Sequence, residues 1–102
     1  MTDVISAMAD PNRRRLLELL RRGEMTVSEL ASHFSVTRPA ISQHLGVLAG
    51  AGLVQVRSQG RFRYYRLDPS GMARLRSALD AFWTTELDAL AKAANKGTDN
   101  DH

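Results

Sequence analysis

The chain has 102 residues, of which 43% are hydrophobic and 25% charged, which is the size and composition of one domain. It contains no cysteine, so disulfides, thiolate metal sites and cysteine nucleophiles are excluded, and a cytoplasmic location is expected. The formal net charge is +3, and residues 1–67 hold ten arginines against five acidic residues, whereas no apolar run approaches the roughly 18 residues of a membrane span.

Two helices are predicted at the start of the chain. Val4, Ile5 and Met8 have helical spacing and indicate a short first helix. A second helix is predicted over Asp10–Arg22, because a capping aspartate and a first-turn proline precede a stripe of leucines. Gly23 is expected to end it. The run of three arginines inside this helix is interpreted as solvated surface.

A pair of short helices follows. The sequence Thr-Val-Ser-Glu at 26–29 matches a capping box and predicts a helix over Val27–His33. Ser35, Val36 and Thr37 separate it from the next helical pattern, Thr37–Ala51, which Gly52 should end. The apolar inner positions of this second helix are Ala40, Ile41, Leu45 and Leu48.

The periodicity then changes to that of a β-hairpin. Leu53–Arg57 and Phe62–Leu67 are rich in β-branched and aromatic residues, which favour strands. The segment between them includes Gln59 and Gly60, so Arg57–Arg61 is predicted to form a polar, basic tip.

A long last helix is predicted after the cap at 68–70, with apolar residues recurring every three or four positions. A monomer would expose much of this stripe, so we expect the first and last helices to form a homodimer interface. Residues 1–94 are predicted to form the domain and 95–102 a disordered polar tail. The expected interface residues are Val4, Ile5, Met8, Met72, Leu75, Leu79, Phe82 and Trp83.

Two short helices followed by a hairpin are typical of a winged helix-turn-helix domain. The predicted fold class is therefore mainly α with a two-stranded β-hairpin. The second helix of the pair is the one expected in the major groove. Its outward side should present Arg38, Ser42 and Gln43, because arginine can pair with guanine, glutamine with adenine and serine with either.

The stretch from Ala7 to Leu67, about three-fifths of the chain, resembles the arsenical-repressor (ArsR) family, particularly its cysteine-free autorepressors. The matching motifs are ADPNRRRLLELL, TVSELASHFSVTRPAISQHLGVLAGAGLV and RSQGRFRYYRLDP. The resemblance implies a homodimer that binds an imperfect palindrome in double-stranded DNA and represses its own or a neighbouring operon. It places base reading on Arg38, Ser42 and Gln43. The candidate backbone or wing contacts are Thr26, Ser28, Thr37, His44, Arg57, Gln59, Arg61 and Arg63.

Metal sensing, catalysis and protein–protein interaction are the alternatives to DNA binding. Metal sensors of the ArsR family place cysteines where Thr26 and Ser28 stand, or histidines along the last helix, where Ala81–Lys96 has none, so no metal and no cofactor are expected. No nucleophile, base and orienting group can be assembled, so no enzyme is expected. A winged-helix protein-interaction module is the alternative, although the basic wing favours phosphate. A small-molecule effector is left open.

Overall fold

The structure is a computed structural model that describes residues 3–100, with side chains up to residue 95. This part of the chain forms five helices and one antiparallel sheet, and none of these helices is long and apolar enough to cross a membrane. In chain order the elements are α1 (Val4–Ala7), α2 (Pro11–Leu20), β1 (Met25–Thr26), α3 (Val27–Ala31), α4 (Arg38–Gly50), β2 (Val54–Gln59), β3 (Phe62–Leu67) and α5 (Pro69–Asn100).

The helices begin where the sequence places their caps. The Asp10 carboxylate accepts two backbone N–H groups at the start of α2, and the Thr37 hydroxyl accepts one at the start of α4. Thr26 and Glu29 form the predicted capping box at α3. The helix ends lie one or two residues inside the predicted limits, where terminal turns commonly fray.

The predicted hairpin is present, and a third strand extends it. Strands β2 and β3 pair along their whole length, with Val56 opposite Tyr65. The two-residue strand β1 pairs with the other edge of β3, with Met25 opposite Tyr65 and Thr26 opposite Tyr64. The sheet order is thus β1-β3-β2 rather than the two strands predicted. This pairing joins the wing, defined here as β2, β3 and their turn, to the start of α3.

The turn of the wing is shorter than the sequence suggests. Only Gly60 and Arg61 connect the strands. Gly60 has a φ of +61°, and between residues 3 and 100 no residue other than glycine has a positive φ. A glycine with positive φ at the first central position is typical of a type II′ hairpin turn, which matches the twist of the flanking strands. Arg57, Ser58 and Gln59 of the predicted tip therefore belong to β2.

The core lies between α2, α3, α4, the sheet and the start of α5. The inner face of α4 is fully buried at Ile41, Leu45 and Leu48, as predicted, which leaves the opposite face of that helix to solvent. Leu75, predicted to lie in the dimer interface, is only 4% exposed and belongs to the core of the subunit itself. The largest fully buried side chains are Leu16, Leu30, Ile41, Leu45, Leu48 and Leu53.

Only the first turns of α5 pack against the rest of the subunit. Gly71 is buried against the turn at Gly52, which has a φ of +78° after the end of α4. From residue 80 to residue 95 every side chain is exposed, and the described molecule is elongated, 69 × 29 × 26 Å. The helix continues to Asn100, so it includes most of the segment predicted as a disordered tail, while residues 101 and 102 lie outside the described part.

Candidate nucleic-acid interface

The exposed face of α4 carries the three predicted base-reading residues. Arg38, Ser42 and Gln43 are all exposed, and none of their side chains has a hydrogen-bond or ion-pair partner within the described residues. Their burial pattern follows from the helix period, since the inner positions 41, 45 and 48 alternate with them around α4. Donors and acceptors without partners on a fixed helix face are what base-edge recognition requires.

A cleft of about 370 Å³ separates α4 from the wing. Arg38 and Ser42 line it from the helix, and Arg61 and Arg63 line it from the wing. Neither wing arginine has an internal partner in the part of the chain that is described. Three guanidinium groups with no counter-charge therefore surround one concave surface, which suits an anionic partner with closely spaced phosphates. The predicted residues Thr26 and Ser28 also line this cleft.

The residues predicted to contact DNA around the helix pair differ in whether their hydroxyl groups are already used in hydrogen bonds within the subunit. The Thr26 hydroxyl donates to a Glu29 carboxylate oxygen at 3.0 Å and accepts the Glu29 N–H at 3.2 Å, so it is occupied by the cap. The Thr37 hydroxyl accepts the Ala40 N–H at 3.3 Å and retains its own hydrogen for a phosphate. Ser28 is exposed.

Arg57 has a different environment from the other wing arginines. Its guanidinium donates to both carboxylate oxygens of Glu24, at 2.9 and 2.7 Å, and to the side-chain oxygen of Gln59 at 2.6 Å. It also lies over the ring of Tyr64, 4.5 Å from the centroid. Arg57 and Gln59 were predicted as contacts to the DNA backbone. In this structure Arg57 joins the wing to Glu24, just before β1, and Gln59 accepts a hydrogen bond from Arg57.

The Arg57–Glu24 ion pair is expected to stabilise the folded subunit in a way that depends on pH. Hydrogen bonds from Arg57 hold the pKa of the Glu24 carboxyl below its ordinary value. A depressed folded-state pKa means that this stabilisation is complete above the ordinary glutamate pKa of about 4.3 and is lost as pH falls through the lower folded value. Between about pH 5 and pH 3 we expect the urea midpoint of the wild type to fall more than that of Glu24→Gln.

The control for this comparison is Asp88→Asn, which removes an exposed carboxylate on α5 with no partner among the described residues. Its midpoint should follow the wild type across the same pH range. Because the Arg57 side of the pair is about half exposed, the difference at Glu24 should shrink in high salt. Parallel curves for wild type and Glu24→Gln would show that the pair does not stabilise the wing.

The arginine run of α2 is the predicted solvated surface in part, because Arg14 and Arg15 are exposed whereas Arg13 is half-buried. The Nε of Arg13 donates to the Ala7 carbonyl at 2.7 Å, and one of its terminal nitrogens lies 3.4 Å from Nδ1 of His44. Arg14 donates to the Met8 carbonyl at 2.8 Å, and Arg15 lies 5.6 Å from the ring centroid of Phe34. The half-buried His44 thus contacts α2, and its contact to the DNA backbone stays a prediction.

A second surface lies on α1 and α5. Phe82, Trp83, Leu87 and Leu90 are 44%, 55%, 56% and 62% exposed, and the first two rings meet edge to face with centroids 5.4 Å apart. Such a continuous apolar stripe is unusual on a monomer. The remaining predicted interface residues are half-buried, namely Val4, Ile5, Met8, Met72 and Leu79.

Among the described residues, no three acidic or histidine side chains are grouped so as to hold a metal ion.

A helix pair with an exposed second helix, beside a β-hairpin wing, defines the winged helix-turn-helix class of DNA-binding proteins. Residues 10–56 match the sequence profile of a family described as "Bacterial regulatory protein, arsR family". The chain belongs to this family and is a DNA-binding transcriptional regulator. Family membership confirms the predicted resemblance and fold class, and also the prediction that the chain is not an enzyme.

Relatives match over most of the chain. The HTH-type transcriptional regulator Rv2034 of Mycobacterium tuberculosis is 47% identical over 94 residues, covering 92% of this chain and 88% of the relative. The transcriptional repressor SdpR of Bacillus subtilis is 41% identical over 68 residues, covering 67% and 76%. The crystal structure of a possible transcriptional regulator for arsenical resistance superposes with a TM-score of 0.82 at 57% identity, covering 89% of this chain and 95% of the other.

Proposed function

We propose that two copies of the chain bind an imperfect palindrome in double-stranded DNA and repress transcription of their own or a neighbouring operon. The observation that carries this proposal is the exposed face of α4, where Arg38, Ser42 and Gln43 have no partners in the described part of the subunit. Relatives named as transcriptional repressors support the direction of regulation. The expected place of action is the cytoplasm.

The homodimer rests on the apolar stripe of α5. A second copy would cover Phe82, Trp83, Leu87 and Leu90, which one subunit leaves open to water. Two-fold symmetry would then present two copies of α4 about 34–36 Å apart, one turn of DNA, and so favour a palindromic site. The unpaired Arg61 and Arg63 of each wing would contact the phosphates flanking each half-site.

The base-reading role of α4 can be separated from the electrostatic role of the wing. For Arg38→Ala and Gln43→Ala we expect a loss of about 1–3 kcal/mol in discrimination between the operator and random duplex, because each removes a base-edge contact. For Arg61→Ala we expect affinity for every duplex to fall and the slope of log affinity against log salt to flatten by about 1. Fluorescence titration of labelled duplexes from the upstream region measures both quantities.

The matched control is Arg22→Ala, which removes an exposed arginine without a partner in the described residues, outside α4 and the wing. It should leave the discrimination and nearly all of the affinity unchanged. In vitro transcription from the same upstream region tests repression, which Arg38→Ala should weaken. A wild-type protein that binds operator and random duplex equally would contradict the proposal.

A further inference from the structure

An exposed phenylalanine at the tip of the wing is not explained by the interactions described so far. Phe62 is 54% exposed, and among the described residues its ring neighbour is Tyr64, with centroids 6.4 Å apart. The other strongly exposed aromatic side chains, Phe82 and Trp83, lie on α5, where the proposed second subunit would cover them. Phe62 lies on neither α1 nor α5, so the proposed dimer does not account for it.

The position of Phe62 indicates which partner it meets. It follows the two-residue turn of the wing and lines the cleft that also contains Arg38 and Ser42. Arg61 and Arg63 stand on either side of it in sequence, and both lack internal partners in the described part of the chain. If these two arginines bind phosphates of a DNA duplex, the Phe62 ring between them would lie at the groove between the two DNA strands.

We propose that Phe62 inserts as an apolar wedge into the minor groove beside each half-site, and that it favours a flexible pyrimidine–purine step there. Apolar side chains that enter the minor groove partly unstack a base step and bend the duplex. TA and CA/TG steps deform at the lowest cost, so they should bind best at this position. The inference rests on the proposed function, since it needs a duplex already positioned by α4 and the wing.

The first test varies only the DNA step under the wing. The operator half-sites are located by footprinting the full-length chain and are then kept constant, while the flanking step is changed among TA, CA, AA and GC. Wild type should bind TA or CA about tenfold more tightly than AA or GC, the scale of one unfavourable base pair. Phe62→Ala should bind all four alike, and Phe62→Leu, which keeps an apolar side chain, should retain most of the preference.

The second test measures unstacking directly. A 2-aminopurine placed in the step should brighten when wild type binds and stay dark with Phe62→Ala. Replacing thymine by uracil at the step removes a methyl group that only the major groove exposes, so wild-type affinity should not change. Loss of affinity on that replacement would assign Phe62 to a thymine methyl in the major groove and would overturn the wedge.

Two controls keep the wedge separate from the proposed function. Arg61→Ala should lower affinity for all four steps equally and preserve their order. Because Phe62 is largely exposed, the urea midpoint of Phe62→Ala should match wild type. An unchanged step preference in Phe62→Ala, with half-site discrimination by Arg38 and Gln43 intact, would refute the wedge alone. Absence of any sequence preference in wild type would instead refute the proposed function.

Discussion

Gly71→Ala is expected to destabilise the subunit by about 3 kcal/mol, the upper end of the usual range for overpacking. A Cβ atom at this position would overlap the carbonyl oxygen of Gly52 and lie 2.7 Å from its carbonyl carbon. Both obstructing atoms belong to the backbone, so no side-chain rotation can relieve the clash. The first turn of α5 would have to move away from the turn that ends α4, and the buried contacts of Leu75 would be weakened.

The control for this substitution is Gly50→Ala. Gly50 is helical and exposed, and a Cβ added there meets nothing within 4 Å. Alanine should therefore stabilise α4 by about 0.5–1 kcal/mol through its helix preference. Urea unfolding at one fixed protein concentration compares the two variants, because dimer stability depends on concentration. Equal midpoints for Gly71→Ala and wild type would mean that α5 does not pack closely on this turn.

Trp83→Asp is expected to convert the proposed dimer to monomers and to lower affinity for the full palindrome by about 10²–10⁴-fold. The fold-change is the avidity that two linked half-sites provide. Trp83 is 55% exposed in one subunit and is not part of its core, so the variant chain should still fold. A carboxylate placed in an apolar seam, by contrast, has no partner there and opposes association.

Light scattering during size-exclusion chromatography measures the mass, and titration with the full palindrome measures the affinity. Thr85→Asp adds the same charge two residues further along α5, about 200° around the helix from Trp83. It should remain dimeric and bind DNA as wild type does. A Trp83→Asp protein that keeps both dimer mass and affinity would place the interface elsewhere on the molecule.

Features with a local cause could be predicted from the sequence. A helix start is specified by a side chain that reaches N–H groups two or three residues ahead, so Asp10, Thr37 and the box at 26–29 fixed three helices. The inner face of α4 followed from its period. The placement of Arg38, Ser42 and Gln43 on the outer face, which the candidate site needs, came from the same pattern.

Features that join distant parts of the chain could not be predicted. Strand β1 has two residues, too few to show the alternation of apolar and polar side chains that predicts a strand. It forms because it pairs with the edge of β3 that β2 does not cover. Arg57 pairs with Glu24, 33 residues away, and nothing in the local sequence of the wing distinguishes it from Arg61 or Arg63. All three arginines were therefore predicted to contact DNA, whereas only Arg61 and Arg63 lack a partner within the described part of the subunit.

Thr26 has a consequence for how the subunit meets DNA. Its backbone pairs with Tyr64 in the wing, while its hydroxyl caps α3, the helix that packs against α4. The distance between the wing and α4 is therefore established when the chain folds. Little conformational entropy remains to be lost in aligning them at the moment of association. Because the wing and α4 keep a fixed spacing, it is the DNA duplex that must bend when its shape does not fit that spacing.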